Sequence, residues 1–332
     1  MSTWIGRTEL NAEQEKILRR AVHLEWLTIA ILAVTVTLVF TVMGNSQAMK
    51  AAGIEDALSF IPPLAFLMGV RIAGKRPNAR YPYGYHRSIG VAHLVAAVAL
   101  VSMGAFLIFD SGSGLLKGEH PPIGTIELLG QSVWLGWLMI AVMAITGAPP
   151  VFLGRAKMKL ARELHNKVLY ADADMNKADW MTSAGTIVGV AGIGLGFWWA
   201  DAAAALFIAA SILRDGLRNM RGAVTDLMDT TATTFDDDGP HPLGGKVREY
   251  LRSLDWVGDA GVRVRDEGQV FHVEAFVVPR REKDLTLGRI NAARAGCMDL
   301  DWKLRDTVII PVDSLPDETG GSGSFHQAEK DG

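Results

Sequence analysis

Six runs of mostly apolar residues occupy the first two thirds of the chain, at 21–43, 57–72, 89–109, 128–153, 180–199 and 202–217. A helix needs about 20 such residues to cross the hydrocarbon core of a bilayer, so the pattern predicts six membrane-spanning helices. The second and sixth runs are short, and the second carries Pro62 and Pro63. Prolines are tolerated in spanning helices where neighbours satisfy the freed carbonyls. Basic residues fall in alternate intervals: Lys75, Arg76, Arg80 and Arg87 follow the second run, Arg155, Lys157, Lys159, Arg162 and Lys167 follow the fourth, and Arg214, Arg218 and Arg221 lie at the end of the sixth. The intervals after the first and third runs hold only Lys50 and Lys117. Lys and Arg accumulate on the cytoplasmic side, which puts both termini of a multi-pass integral membrane protein in the cytoplasm.

Beyond residue 230 the periodicity changes. Val247, Tyr250, Leu251 and Leu254 have helical spacing, and Val262/Val264 and Val270/His272/Glu274 alternate on either side of Glu267-Gly268 as in a hairpin. A helical stretch at 287–304 and a short β run at 307–312 follow. The order helix, strand, strand, helix, strand predicts a small cytoplasmic α+β domain, ferredoxin-like in outline. The expected organisation is a cytoplasmic segment at 1–20, a six-helix membrane domain at 21–229, a linker at 230–245, the α+β domain at 246–315 and a disordered Gly/Ser-rich tail at 316–332.

Composition agrees with a membrane protein: 49% of the 332 residues are hydrophobic and 21% are charged, with a net charge of −3. No concentrated basic footprint supports a nucleic-acid partner. The single cysteine, Cys297, excludes an intramolecular disulfide and a cysteine zinc cage, and a buried small hydrophobe is its expected role. No cleavable signal peptide is expected from the mixed charges of residues 7–20. The sequence contains no GxxxxGK[ST], GxSxG or HExxH motif, so neither ATP-driven transport nor a membrane hydrolase is supported.

Ionisable groups at membrane depth are costly and default to function. Glu55 and Asp56 precede the second run, with Ser59 one turn on, and Asp172, Asp174, Met175, Asn176 and Asp179 precede the fifth. Helical periodicity puts Asp172, Met175, Asn176 and Asp179 on one face, and Ser183 continues it. Two helices can thus aim oxygen groups at a common centre, a donor set that suits Mg²⁺ or Mn²⁺. His23 and Glu25 read as interfacial, and His93 as hydrogen-bonded to a neighbouring helix.

The segment Tyr81-Pro82-Tyr83-Gly84-Tyr85-His86-Arg87 resembles the tyrosine-glycine loop of the cation diffusion facilitator, or cation efflux, transporters. Ala171-Asp172 followed by Asp179, and the turn Trp199-Ala200-Asp201, are similar to further motifs of that family. The resemblance implies a homodimeric transporter, not an enzyme, that exchanges a divalent cation for protons at a four-ligand site between the second and fifth spans. By position it assigns Glu55, Ser59, Met175 and Asp179 to that site. Asp56, Asp172 and Asn176 are additional candidates as metal or proton ligands. Only Asp179 keeps the family's residue type, and Glu55 keeps the charge. With histidine missing and Met175 a soft thioether, Mn²⁺, Fe²⁺ or Mg²⁺ is favoured over Zn²⁺ as cargo, and no resident cofactor is expected. In the α+β domain the family's regulatory metal positions read Ala275 and Pro311, which leaves His272 and Asp313 as weak candidates. The expected setting is a bacterial-type inner membrane. The altered ligand set keeps two other readings open, a transport-deficient scaffold or sensor and a transporter of a non-metal solute.

Overall fold

The computed structural model describes residues 10–42, 57–118, 125–128, 131–197 and 199–319. Among the described residues, six long or well-bounded helices come first: α1 (Ala12–Val42), α2 (Ile61–Ala73), α3 (Ser88–Leu116), α4 (Leu135–Leu164), α5 (Lys167–Gly194) and α6 (Ala200–Leu227). Five of them run 28 to 31 residues, longer than the apolar runs that predicted them, because polar turns extend each helix. The fourth run begins instead inside a hairpin, β1 (Thr125–Leu128) with β2 (Gln131–Trp134), so α4 starts seven residues later than the run. Pro62 and Pro63 lie in the first turn of α2, where a missing N–H costs no intrahelical bond.

The chain divides into two compact units, one holding residues 14–70 and 91–224 and the other 71–90 and 225–332, together with the first residues. In the helical unit, α3 and the stretch Gly136–Leu164 are each long and apolar enough to cross a membrane. Trp137, Ile145 and Phe152 on α4, Phe109 on α3 and Phe207 on α6 are exposed, an outward apolar surface of the kind lipid covers. Inside, small residues set the spacing: a Cβ on Gly216 of α6 would come within 2.8 Å of the Val101 backbone nitrogen of α3, so these helices cross at backbone contact. Helices α4 and α5 form an antiparallel hairpin. His165 ends α4 in the left-handed region, its N–H reaching the carbonyls of Ala161 and Arg162, and the Asn166 side chain caps α5 by accepting from the Leu169 N–H.

The second unit contains α7 (Leu243–Arg252), β3 (Val257–Asp266), β4 (Phe271–Pro279), α8 (Leu287–Asp299) and β5 (Asp306–Pro311). The sheet order is β3-β4-β5, antiparallel then parallel. This is the expected helix–strand–strand–helix–strand order. Phe271, Val273, Ala275 and Val277 face the core with Leu243, Val247, Leu251 and Cys297, while the alternate residues His272 and Glu274 take the other face. Burial without a compensating charge raises the Cys297 thiol to about 12, which makes it an inert core residue.

Two boundaries differ from expectation. The 230–245 segment is folded onto the sheet rather than being a free linker: the Ala232 N–H donates to the Val264 carbonyl, the His241 N–H to the Ala232 carbonyl, and Ala232 and Leu243 are core residues. Of the expected disordered tail, Asp317–Thr319 forms a 3-10 turn with Thr319 buried, and 320–332 lies outside the described residues.

This unit also holds the tyrosine-glycine loop. Asn78 organises it, its carbonyl oxygen accepting from the backbone N–H groups of Arg80 and Tyr81 while its amide donates to the Tyr85 hydroxyl. His86 is buried, and Arg87 donates to the Leu227 carbonyl and pairs with Asp229. Gly268, in the β3–β4 turn with φ +95, packs so closely that a Cβ there would lie 2.6 Å from Ile89 Cβ. Both conditions demand glycine. Gly268→Val is expected to cost about 1–3 kcal/mol in backbone strain and overpacking. The measurement is amide hydrogen exchange, which should quicken together in residues 84–90 and in the β3–β4 turn.

Candidate functional site

Glu55 and Asp56 lie outside the described residues. Ser59, just ahead of α2, and Asp179, in the middle of α5, are brought together: the Ser59 hydroxyl donates to Asp179 Oδ1 at 2.8 Å across 120 residues of sequence. Ser59 is almost fully buried. Ser183, one turn after Asp179, donates its hydroxyl to the Asp179 carbonyl oxygen at 3.0 Å, so the side chain continues the same stripe but is turned back on its own helix. Met175 is buried among Leu100, Met103, Ile208 and Ile212, with Leu58 and Ile61 packed against the same cluster. Its thioether therefore sits in an apolar seam between helices.

The other candidates on α5 are engaged elsewhere. Asp172 Oδ2 lies 2.8 Å from Lys157 Nζ, and the same ammonium lies 2.9 Å from Glu25 Oε2. All three side chains are at most 1% exposed. Asn176 donates its amide to the Asp172 backbone oxygen at 2.9 Å and at a longer 3.4 Å to its carboxylate. Nothing in the residue pattern singled out this triad, because Lys157 reads as one of a row of loop cations and Glu25 as interfacial. The signal was its position: Lys157 and Asp172 stand at nearly equal distances from the α4–α5 turn at His165-Asn166, so a hairpin of two helices must bring them face to face.

A second polar network ties α5 to α6 and α3. Asn219 donates to Asp174 Oδ2 at 2.9 Å, its side-chain oxygen lies 3.3 Å from His93 Nε2, and Lys177 donates to Asp215 at 2.7 Å. The expected helix-to-helix bond of His93 is thus present, with Asn219 as its partner. Asp174 is buried rather than solvated at a helix end.

In the sheet unit, His272 Nδ1 lies 2.6 Å from Asp306 Oδ2, with its Nε2 3.6 Å from Glu274 Oε1. Asp313 is exposed in the bend after β5. Among the described residues no group of three or more His, Cys, Asp or Glu side chains is arranged to hold a metal ion. His241 lies edge-on to Phe271 and accepts from the Leu243 N–H.

The hydrogen bond to Asp306 holds the His272 imidazole above its ordinary pKa, and the same bond holds the Asp306 carboxyl below its own. The two contributions have opposite signs in pH. The Asp306 part is present above the unfolded carboxyl value and is lost as pH falls through the lowered folded value. The His272 part is complete below the unfolded imidazole value and is lost as pH rises through the raised folded one. The pair therefore stabilises the sheet most between about pH 4 and 6.5. Melting of the full protein in detergent should show a wild-type advantage over His272→Gln that is widest in that window, about 1.5–3 kcal/mol for a charged hydrogen bond, and that shrinks toward alkaline pH.

A family model described as the cation efflux transmembrane domain matches residues 25–228. The chain is 27% identical over 177 residues to the manganese efflux system protein MneS of Bacillus subtilis, covering 52% of this chain and 56% of that protein. It is 25% identical over 192 residues to the magnetosome protein MamB of Magnetospirillum gryphiswaldense, 58% of this chain and 61% of that one. It is 26% identical over 226 residues to the mitochondrial metal transporter 1 of Saccharomyces cerevisiae, 63% of this chain and 43% of that protein. The chain thus spans a little over half the length of the first of these relatives.

Proposed function

The chain belongs to the cation efflux family, whose members are transporters and not enzymes, and from that premise we propose that it exports a divalent metal ion across a membrane in exchange for protons. The ion binds between the second and fifth of six spans, at Ser59 and Asp179 with Glu55 as a second carboxylate and Met175 at the edge of the set. The protein works as a homodimer with both termini in the cytoplasm of a bacterial-type cell. The observation that carries this reading is the Ser59–Asp179 hydrogen bond, which joins the segment leading into the second span to a half-buried carboxylate in the middle of α5. Oxygen donors without histidine favour a hard or borderline cation. Mn²⁺ is the first candidate because relatives named for manganese efflux are among those the chain resembles, with Fe²⁺ and Mg²⁺ next and Zn²⁺ last.

The burial of Met175 in an apolar cluster favours one alternative, a family member that has lost transport and serves as a scaffold or sensor. Proteoliposome flux separates the two. Under an imposed pH gradient, Mn²⁺ uptake is expected in wild type and is expected to fall at least tenfold in Asp179→Ala. Absence of flux for Mn²⁺, Fe²⁺, Mg²⁺ and Zn²⁺ from folded protein would overturn the transport reading.

A further inference from the structure

The buried triad of α1, α4 and α5 has a charge that does not close. Lys157 supplies one positive charge to a pocket that holds two carboxyl groups, and all three side chains are at most 1% exposed. The charged groups that act on Glu25 from the helices packed against it are Lys157 of α4 and Asp172 of α5. Two carboxylates and one ammonium leave a net negative charge among side chains that are almost fully buried, and an uncompensated buried charge is unfavourable unless a cation joins. The Lys157 ammonium already lies within 2.9 Å of both acids, and a proton on one of the acids closes the charge.

The hydrogen bonds say which acid holds it. Asp172 accepts from Lys157 and from the Asn176 amide, and donors of this kind favour the ionised form. Glu25 has the ion pair to Lys157 through Oε2, and neither of its buried oxygens receives a hydrogen bond among the described residues. Glu25 also lies within hydrogen-bond reach of the Asp172 carboxylate, so a proton carried by Glu25 has Asp172 as its acceptor.

We propose that Glu25 is an exchangeable proton site, built by the Glu25–Lys157–Asp172 triad and separate from the Ser59–Asp179 pair. Asp172 and Asp179 are seven residues apart on one face of α5, about 10 Å along the helix. A divalent ion arriving at Asp179 makes the surroundings of Glu25 more positive and favours loss of the proton to water, and departure of the ion favours its return. This rests on the exchange reading above and adds a proton carrier that is not a metal ligand.

The test is infrared difference spectroscopy on full-length protein in lipid, with and without Mn²⁺, paired with a dye count of protons released per Mn²⁺ bound. Metal-free wild type should show the C=O stretch of a protonated carboxyl group, and Mn²⁺ should remove it. Glu25→Gln should lack the band and release one proton fewer per ion. Asp172→Asn should also lose the band, because one carboxylate then faces one ammonium and stays ionised; this second variant decides the matter if Glu25→Gln does not fold. In Asp179→Asn the band should persist and no longer respond to Mn²⁺. A wild type without the band, a band that survives in Asp172→Asn, or an unchanged proton count in Glu25→Gln overturns the proposal. If wild type binds no metal, the transport reading fails by itself, and the band and its loss in Asp172→Asn still decide the site.

Discussion

Lys157→Met should destabilise the helical unit by about 3–5 kcal/mol, the usual result of removing one partner from a buried ion cluster. The methionine fills most of the volume of the lysine stem, so the loss is electrostatic: Glu25 and Asp172 would face each other without the ammonium that lies within 2.9 Å of both. Thermal unfolding in detergent is the measurement, read alongside the yield of monodisperse protein. Replacing the whole cluster, with Glu25→Gln and Asp172→Asn added to Lys157→Met, should recover much of the lost stability, since neutral groups of similar shape carry no charge to desolvate. If Lys157→Met instead melts with wild type, the three groups are not sharing charge in the folded protein. The comparison also separates stability from function, because the triple variant should fold and yet have no proton site.

Phe271→Ala should be nearly as severe in the other unit. Its ring is fully buried, packs edge-on to His241 and lies under the Lys303 ammonium at 4.7 Å. Truncating a buried phenylalanine costs about 3–5 kcal/mol, and a domain of this size has only about 5–15 kcal/mol in total. Limited proteolysis of the intact protein should show new cuts within 243–319 while the helices of 91–224 stay protected. Equal sensitivity in both regions would mean that the sheet core is not a separate cooperative unit.

Much of this architecture was legible in the hydrophobic pattern. Long apolar runs and the 3.6 and 2.0 periodicities located the helices and the three strands, because burying one face is what those periodicities do. Helix ends were less legible: α4 extends through Lys157 to Leu164 although its apolar run stops at 153, since a polar turn costs a helix nothing when its cations find partners. The fold-back of 230–245 was invisible because Thr, Asp, Pro and Gly compose a linker and a packed edge equally well. Here the outcome turns on Ala232 reaching the Val264 carbonyl, a contact no local composition encodes. At the candidate site, Ser59 and Asp179 were placed by resemblance and lie in hydrogen-bond contact. The buried triad was missed because charges on a sequence carry no record of depth. A lysine in a basic stretch looks solvated until a second helix is laid against it.

The contact between Gly268 and Ile89 bears on how the protein can be divided. The tyrosine-glycine loop is a short connection between α2 and α3 in sequence, yet its buried His86 and the adjoining Ile89 in the first turn of α3 are covered by the turn of a sheet that begins nearly 170 residues later. A truncation after α6 would strip that cover and leave Arg87 without Asp229. The smallest piece that keeps the loop in its native form is therefore not the set of six helices. Any chimera that exchanges the C-terminal domain between relatives must carry residues 71–90 with it.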